Sequence, residues 1–226
     1  EEEPHLDVIE AIKNRRSIRA FKSDSVPKGL LEKVIQDSLH SPSHSNIQPW
    51  HLVVVGGKAM ESLKQALVEK TRSGDRGASD VILPEPAGVL RERRRALMKQ
   101  IYGSLGISRE DEDKRALWWQ NMDRFFGAPS AVIVSLERAM LPRGLVDVGL
   151  IAQTLMLSAH GYGLSTCTVA HVVHHPAVLR RLLNIPDSEV IICGIAIGYP
   201  DLNAPVNQFR SAREPIQNVV SWHGLD

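Results

Sequence analysis

"SPSHSNIQPWHLVVV", residues 41–55, sets a loop crowded with neutral hydrogen-bonding groups between a helix and a strand. Behind it, Leu30, Leu31, Val34, Ile35 and Leu39 recur at helical spacing, with Pro27 near the start, where its missing N–H costs nothing. Ahead of it, "HLVVVGG" reads as a buried strand. Between them Ser43, His44, Ser45, Asn46 and Gln48 are bracketed by Pro42 and Pro49. The question is what so many uncharged donors and acceptors are held in place to meet.

Outward from this loop, helix and strand signals alternate. Ile9 and Ile12 suggest a first helix running into the basic turn "NRRSIRAF", and "KAMESLKQALVEKT" suggests another after the strand. Residues 73–90 have weak periodicity, whereas "RERRRALMKQIYGSLG" and "DKRALWWQNMDRFFG" read as helices. "SAVIVSL" is a β-branched run, and "LVDVGLIAQTLMLSAHGYG" is apolar nearly all round, which places it at the centre of the core or at a subunit contact. "LSTCTVA", "PAVLRRLLN" and "EVIICGIAIGYP" give strand, helix, strand, and the tail ends in Val219, Val220 and Trp222, which need something to dock on. The pattern is α+β or α/β, helix-rich, in one domain spanning residues 1–226.

Composition narrows the function classes. Of 226 residues 43% are hydrophobic, enough for one sizeable core. Lys and Arg total 27 against 26 acidic residues, a balance that argues against nucleic acid and anionic membranes as partners. No apolar stretch reaches the length of a membrane span, and "EEEPHLDVIEAIK" is unlike a secretory signal. Cys167 and Cys193 sit in apolar runs without metal spacing, as small buried hydrophobes of a reducing compartment do. A soluble cytoplasmic protein is expected.

The usual catalytic signatures are missing: no phosphate loop, nucleophile elbow or H-E-x-x-H helix. "HVVHH" at 171–175 reads as a loop leading into a helix begun by Pro176 rather than a zinc site, since no acidic or Cys partner lies near in sequence. Arg91, Arg93, Arg94 and Arg95 are more simply a solvated helix face than an anion trap. Trp118, Trp119, Phe125 and Phe126 fit a core or a lid equally well. "RRSIR" (15–19) and "FRSAR" (209–213) each put arginines within two or three residues of a serine, a workable phosphate grip, although spacing alone favours ordinary surface charge.

Taken in order, "RRSIRAF", "SPSHSNIQPWHLVVV", "GYGLSTCTVA", "GIAIGYPD" and "FRSAREP" resemble the FMN-dependent nitroreductase family, over residues 8 to 222. The insert "KQIYGSLGISREDEDKRALWWQNMDRFFGAP" is similar to that of the branch containing bacterial 4-nitrobenzoate reductases. The resemblance implies an α+β fold with a mixed sheet flanked by helices, in an intertwined homodimer that exchanges its C-terminal tails and holds two FMN. The loose composition and aromatic content of residues 73–126 suggest a lid. The resemblance also implies that Arg15, Arg16 and Ser17 meet the FMN phosphate and ribityl chain and that Arg19 sits at the pyrimidine edge. Pro42, Ser43, His44 and Asn46 would come from the opposite subunit, with His44 where the family often has a small residue. Around Val169, Ala170 and His171 a backbone N–H would meet flavin N5. Arg213 matches a phosphate-binding arginine, and Arg210 stands in for a lysine that another member carries at the position of Ser211.

The resemblance further implies an enzyme with no side-chain nucleophile. NAD(P)H would reduce the flavin and leave, and a nitroaromatic or quinone would then take the electrons in a ping-pong cycle. No metal is required. Rival readings keep the scaffold for dehalogenation or enone reduction, for which Tyr102 and Lys99 supply an incomplete lid set, or make the chain a flavin-binding redox module with little turnover.

Overall fold

A computed structural model describes residues 7–75, 77–81 and 84–225. Four strands form one sheet in the order β1–β2–β4–β3: β1 (Trp50–Gly56), β2 (Ser130–Glu137), β3 (Ser165–Val169) and β4 (Glu189–Gly198). All three pairings are antiparallel, so the mixed character expected of the sheet is confined to one parallel bridge, Ser17 to Thr166, outside the edge strand β3. Seven helices surround the sheet: α1 (Val8–Asn14), α2 (Lys28–Ser38), α3 (Gly57–Arg72), α4 (Gly88–Ser104), α5 (Glu112–Asp123), α6 (Gly144–Gly161) and α7 (Pro176–Leu183).

The central strands β2 and β4 are largely apolar and buried along nearly their whole length because both sheet faces are covered. On one face Ala131, Ile133 and Ala196 pack with Met60, Leu63 and Leu67 of α3 and with Leu179 of α7. On the other, Val132, Val134, Ile195 and Ile197 pack against Val34 of α2 and Val148 and Leu155 of α6. Each fully buried aliphatic side chain contributes about 1.5–3 kcal/mol. Ile191 and Cys193 have the same parity in sequence yet face opposite sides. The β2–β4 register slips between Val134 and Ser135, leaving Ile192 as the extra residue of a bulge.

The segment expected as a lid is two regular helices and shares the core of the first face. Ile101, Trp118, Phe125 and Phe126 are buried in it, which decides the aromatic cluster for packing; Trp119 alone is half-exposed. Phe125 lies so close to β4 that a Cβ on Gly194 would stand 2.8 Å from its ring. Helix α6 buries Asp147, Val148, Ile151, Ala152, Leu155 and Ala159, but Val146 on its other side is 69% exposed and Leu145 and Leu150 are exposed too. Both cysteines are buried thiols, and burial pushes Cys193 up to about 12.

Candidate active site

Two sequence segments from opposite ends of the chain meet at the β3 edge. Helix α1 ends at Arg15, and the chain then runs beside β3, with the Ile18 N–H donating to the Thr166 carbonyl at 3.0 Å. The Arg19 N–H donates to Asn207 Oδ1 at 2.8 Å, and the buried Asn207 amide donates to the carbonyls of Ala20 at 2.9 Å and Asp201 at 2.8 Å. One side chain thus staples the first basic segment to the approach of the second. Beyond the staple, the Arg210 guanidinium donates to the Lys13 carbonyl at 3.2 Å, at the end of α1.

The electrostatics there are one-sided. Burial, and then the charge of Arg213, hold the Arg15 guanidinium below its usual pKa. His160, at the far end of α6, is lowered by burial and then by Arg15 and Arg210. The Cys167 thiol on β3 is raised by burial, offset in part by Arg19, Ser17 and Arg15. Among the described residues, none of Arg15, Arg16, Arg19, Arg210 and Arg213 forms an ion pair with a carboxylate. Cations gathered without counterions repel one another, and an anion relieves that repulsion. The arrangement suits a phosphate, although Arg210 and Arg213 are themselves exposed.

The same edge carries the turn after β3. Val169 is buried, Ala170 is exposed and His171 is half-buried, opening the short helix His171–His174 that leads into Pro176. Among the described residues no group of three His, Cys, Asp or Glu is arranged to hold a metal. The His171 ring contacts Trp119 at 6.4 Å and His174 at 5.2 Å between centroids. Its Nε2 faces Asp123 Oδ1 at 3.4 Å.

The loop at 42–48 lies elsewhere, over the start of α6. The His44 N–H donates to Asp147 Oδ1 at 3.0 Å, and Arg143 donates to His44 Nδ1 at 3.0 Å, which leaves the imidazole proton on Nε2 facing Ser45 Oγ at 3.2 Å. The Gln48 N–H donates to Ser43 Oγ at 2.9 Å, and the Gln48 side chain donates to both oxygens of Asn46 at 3.2 Å. Ser45, Asn46 and Gln48 all have positive φ, a backbone cost of about 1–2 kcal/mol each that these bonds offset. Pro42, His44 and Asn46 are exposed and Ser43 half-exposed, so the loop is rigid yet presented outward. Asp147 belongs to the first turn of α6 and His160 to the last. At 1.5 Å per residue the loop and the arginine cluster lie roughly 20 Å apart within one chain.

Several functional candidates went unnoticed in the sequence: Asn207, His160, Asp147, Arg143 and Asp123. Asp147 left one signal, a single carboxylate in an otherwise apolar helix. The others left none, because their partners are remote in sequence.

A broad basic concavity of about 640 Å³ also opens on the insert, lined by Arg91, Arg95, Lys99, Arg109 and Tyr102, with Arg115 over the Tyr102 ring at 5.6 Å. Arg93 points the other way and pairs with Glu214 at 2.8 Å, beside Arg213. Arg94 pairs with Glu85 at 2.6 Å. The arginines of "RERRR" are exposed, as read from the sequence, but six of the insert's cations, Arg94 and Arg115 included, line one hollow.

The sequence profile of the nitroreductase family matches residues 12–199. This chain belongs to the nitroreductase family. It is 34% identical to a 4-nitrobenzoate reductase of Nocardioides sp. (strain LMS-CY), over 97% of this chain and 91% of that protein. It is 35% identical to the nitroreductase NfnB of Mycolicibacterium smegmatis, over 97% and 95%. The crystal structure of an FMN- and NADPH-dependent NfnB from a Sphingopyxis strain superposes with a TM-score of 0.93 at 30% identity, covering 97% of this chain and all of the other. The profile match stops before the tail, whereas the two relatives and the NfnB structure, at 97% of this chain, also take in the second arginine segment.

Proposed function

We propose that this nitroreductase-family chain is an FMN-dependent oxidoreductase that carries electrons from NADPH to nitroaromatic acceptors, and to quinones, in a ping-pong cycle. The observation that carries the reading is the convergence of Arg15, Arg210 and Arg213, unpaired, at the β3 edge. These cations fit a phosphate monoester, with Ser17 and Arg16 next along the same strand edge. When bound, FMN supplies the hydride chemistry, which is why the chain needs no nucleophile of its own. Arg19, set by Asn207, would lie at the pyrimidine edge and favour the negative charge of the reduced ring. The backbone at 169–171, with Ala170 exposed, would face N5. NADPH dependence is named for the NfnB relatives, and their likeness to this chain supports it as the donor. The two free buried cysteines suit a reducing cytoplasm.

The functional unit in this reading is a homodimer. A loop held roughly 20 Å from the arginine cluster of its own chain can serve a flavin only across a subunit boundary. Exposed apolar side chains on α1 (Val8, Ile9, Ile12), on α6 (Val146, Leu150) and in the tail (Ile216, Val219, Trp222) support that boundary, with tail exchange covering the last of them. Residues 73–126 would form the acceptor-side lid.

The test is the visible spectrum of the FMN-saturated protein under anaerobic NADPH. Bleaching, followed by recovery of the yellow colour on adding a nitroarene, is expected. A protein that takes up no FMN would overturn the cofactor; one that binds FMN without bleaching would overturn the donor.

A further inference from the structure

At the end of α5, Asp123 is fully buried, 0% exposed, and its carboxylate faces the imidazole of His171 across 3.4 Å. Besides His171, the Thr71 hydroxyl is the one side chain near enough to donate to the Asp123 carboxylate among the described residues, and neither contact has good hydrogen-bond geometry. A buried carboxylate is costly unless something compensates it, so the position is not explained by packing. Its neighbours come from three elements: Thr71 at the end of α3, Trp119 one turn back on α5, and His174 and His175 beyond the turn, with Asp75 acting on His175. The titratable groups facing the pair are therefore His174, His175 and, more distantly, Asp75. Gly77 closes the cluster: a Cβ there would fall 1.6 Å from the His174 carbonyl oxygen.

We propose that Asp123 is a positioning residue for the flavin edge: through His171 its carboxylate fixes the 169–171 turn against the insert helix α5, and protonation of the carboxylate loosens the hold. The proposal rests on the reading that this turn faces flavin N5. Only the Nε2–H tautomer of His171 donates to Oδ1, and a modest closure of the 3.4 Å gap makes a charge-assisted bond. The turn and α5 would then move as one body, which couples the insert to the face where hydride is exchanged. Burial raises Asp123 to about 6, partly offset by Thr71, His175 and His174. Burial, and then His174, lower His171. Burial thus favours the neutral form of each group, so it is the carboxylate that takes up the proton, and the charge-assisted bond is lost as pH falls through about 6.

The experiment compares FMN-saturated wild type with Asp123→Asn, reading the rate of flavin reduction by NADPH between pH 5 and 8. The expected result is a variant slower by roughly tenfold at pH 8, without the wild-type fall below pH 7. Equal rates and profiles in the two proteins would overturn the proposal. Should Asp123→Asn fail to fold, histidine NMR of the wild type decides. A His171 resonance held in the Nε2–H tautomer at pH 8 and shifting as the Asp123 carboxylate is protonated supports the pair, and one in the Nδ1–H tautomer, or insensitive to pH, refutes it. A wild type that takes up no FMN would instead sink the cofactor reading, and the NMR titration would still decide whether Asp123 and His171 act together.

Discussion

Arg213 and Asp123 illustrate opposite uses of an uncompensated charge. Arg213 is exposed and repels Arg15, so its value lies in what it binds. Arg213→Ala should weaken FMN binding about tenfold, the loss of one charge-assisted contact at an exposed site. Because a repulsion goes with it, the denaturant midpoint of the apoprotein should not fall. Titration of apoprotein with FMN by fluorescence, alongside urea unfolding, checks both. Asp123 is buried, and its folded pKa of about 6 exceeds the usual 3.8. A group whose pKa is raised by folding favours the fold at low pH, and that contribution is lost as pH rises through about 6. The bare carboxylate therefore burdens the native state at pH 8 by up to about 3 kcal/mol. Asp123→Asn should raise the urea midpoint relative to wild type at pH 8, and by much less at pH 5. An equal difference at both values would mean that burial does not govern this carboxylate.

Among the elements, α4 carries the least compensated charge. Arg95, Lys99 and Arg109 share a hollow with Arg91 and Tyr102 in which Glu85 is the one carboxylate and pairs with Arg94, and a net positive field in a concavity raises the local concentration of anions. Arg95→Gln with Lys99→Gln should raise KM severalfold for a nitrobenzoate and leave a neutral nitrobenzene nearly unchanged, and added salt should shrink the difference. Initial rates with the two acceptors at low and high ionic strength test it. Where elements were legible in the sequence, the cause was local periodicity. The continuous apolar runs "SAVIVSL" and "EVIICGIAIG" announced central strands, and Pro27 and Pro176 marked helix starts. The α6 sequence, apolar nearly all round, reads as core or subunit contact; one side of the helix is buried and Val146 on another is exposed. The bulge at Ile192 and the sense of the strand pairing were illegible because they depend on register between segments far apart. The site divides in the same way. Its arginines and loop were found through motif resemblance, whereas Asn207, which sets Arg19 across 188 residues, and Asp123 leave no local pattern.

At the scale of the whole molecule, α6 separates the 42–48 loop from the arginine cluster of its own chain. Asp147 anchors the 42–48 loop at one end, and His160 stands by Arg15 and Arg210 at the other. In a two-fold dimer with these helices paired, each end would meet its complement on the partner. Genetic complementation separates this arrangement from a site built within one chain. One variant would carry Arg15→Ala with Arg213→Ala; the other would carry Asn46→Ala with Ser43→Ala. Each alone should form dimers that hold FMN poorly at both sites. In a mixed dimer, if sites are shared across the boundary, one site collects both lesions and the other collects none. The mixed dimer should then bind about one FMN tightly, half the wild-type complement. If each site belonged to one chain, both sites of the mixed dimer would carry a lesion and nothing would be restored. Isolating the mixed dimer with two affinity tags and counting FMN per dimer by absorbance reads the outcome directly. Restoration would also locate the hydrogen-bonding role of the 42–48 loop at the partner's cofactor, giving its neutral, strained, outward-facing groups a shared purpose.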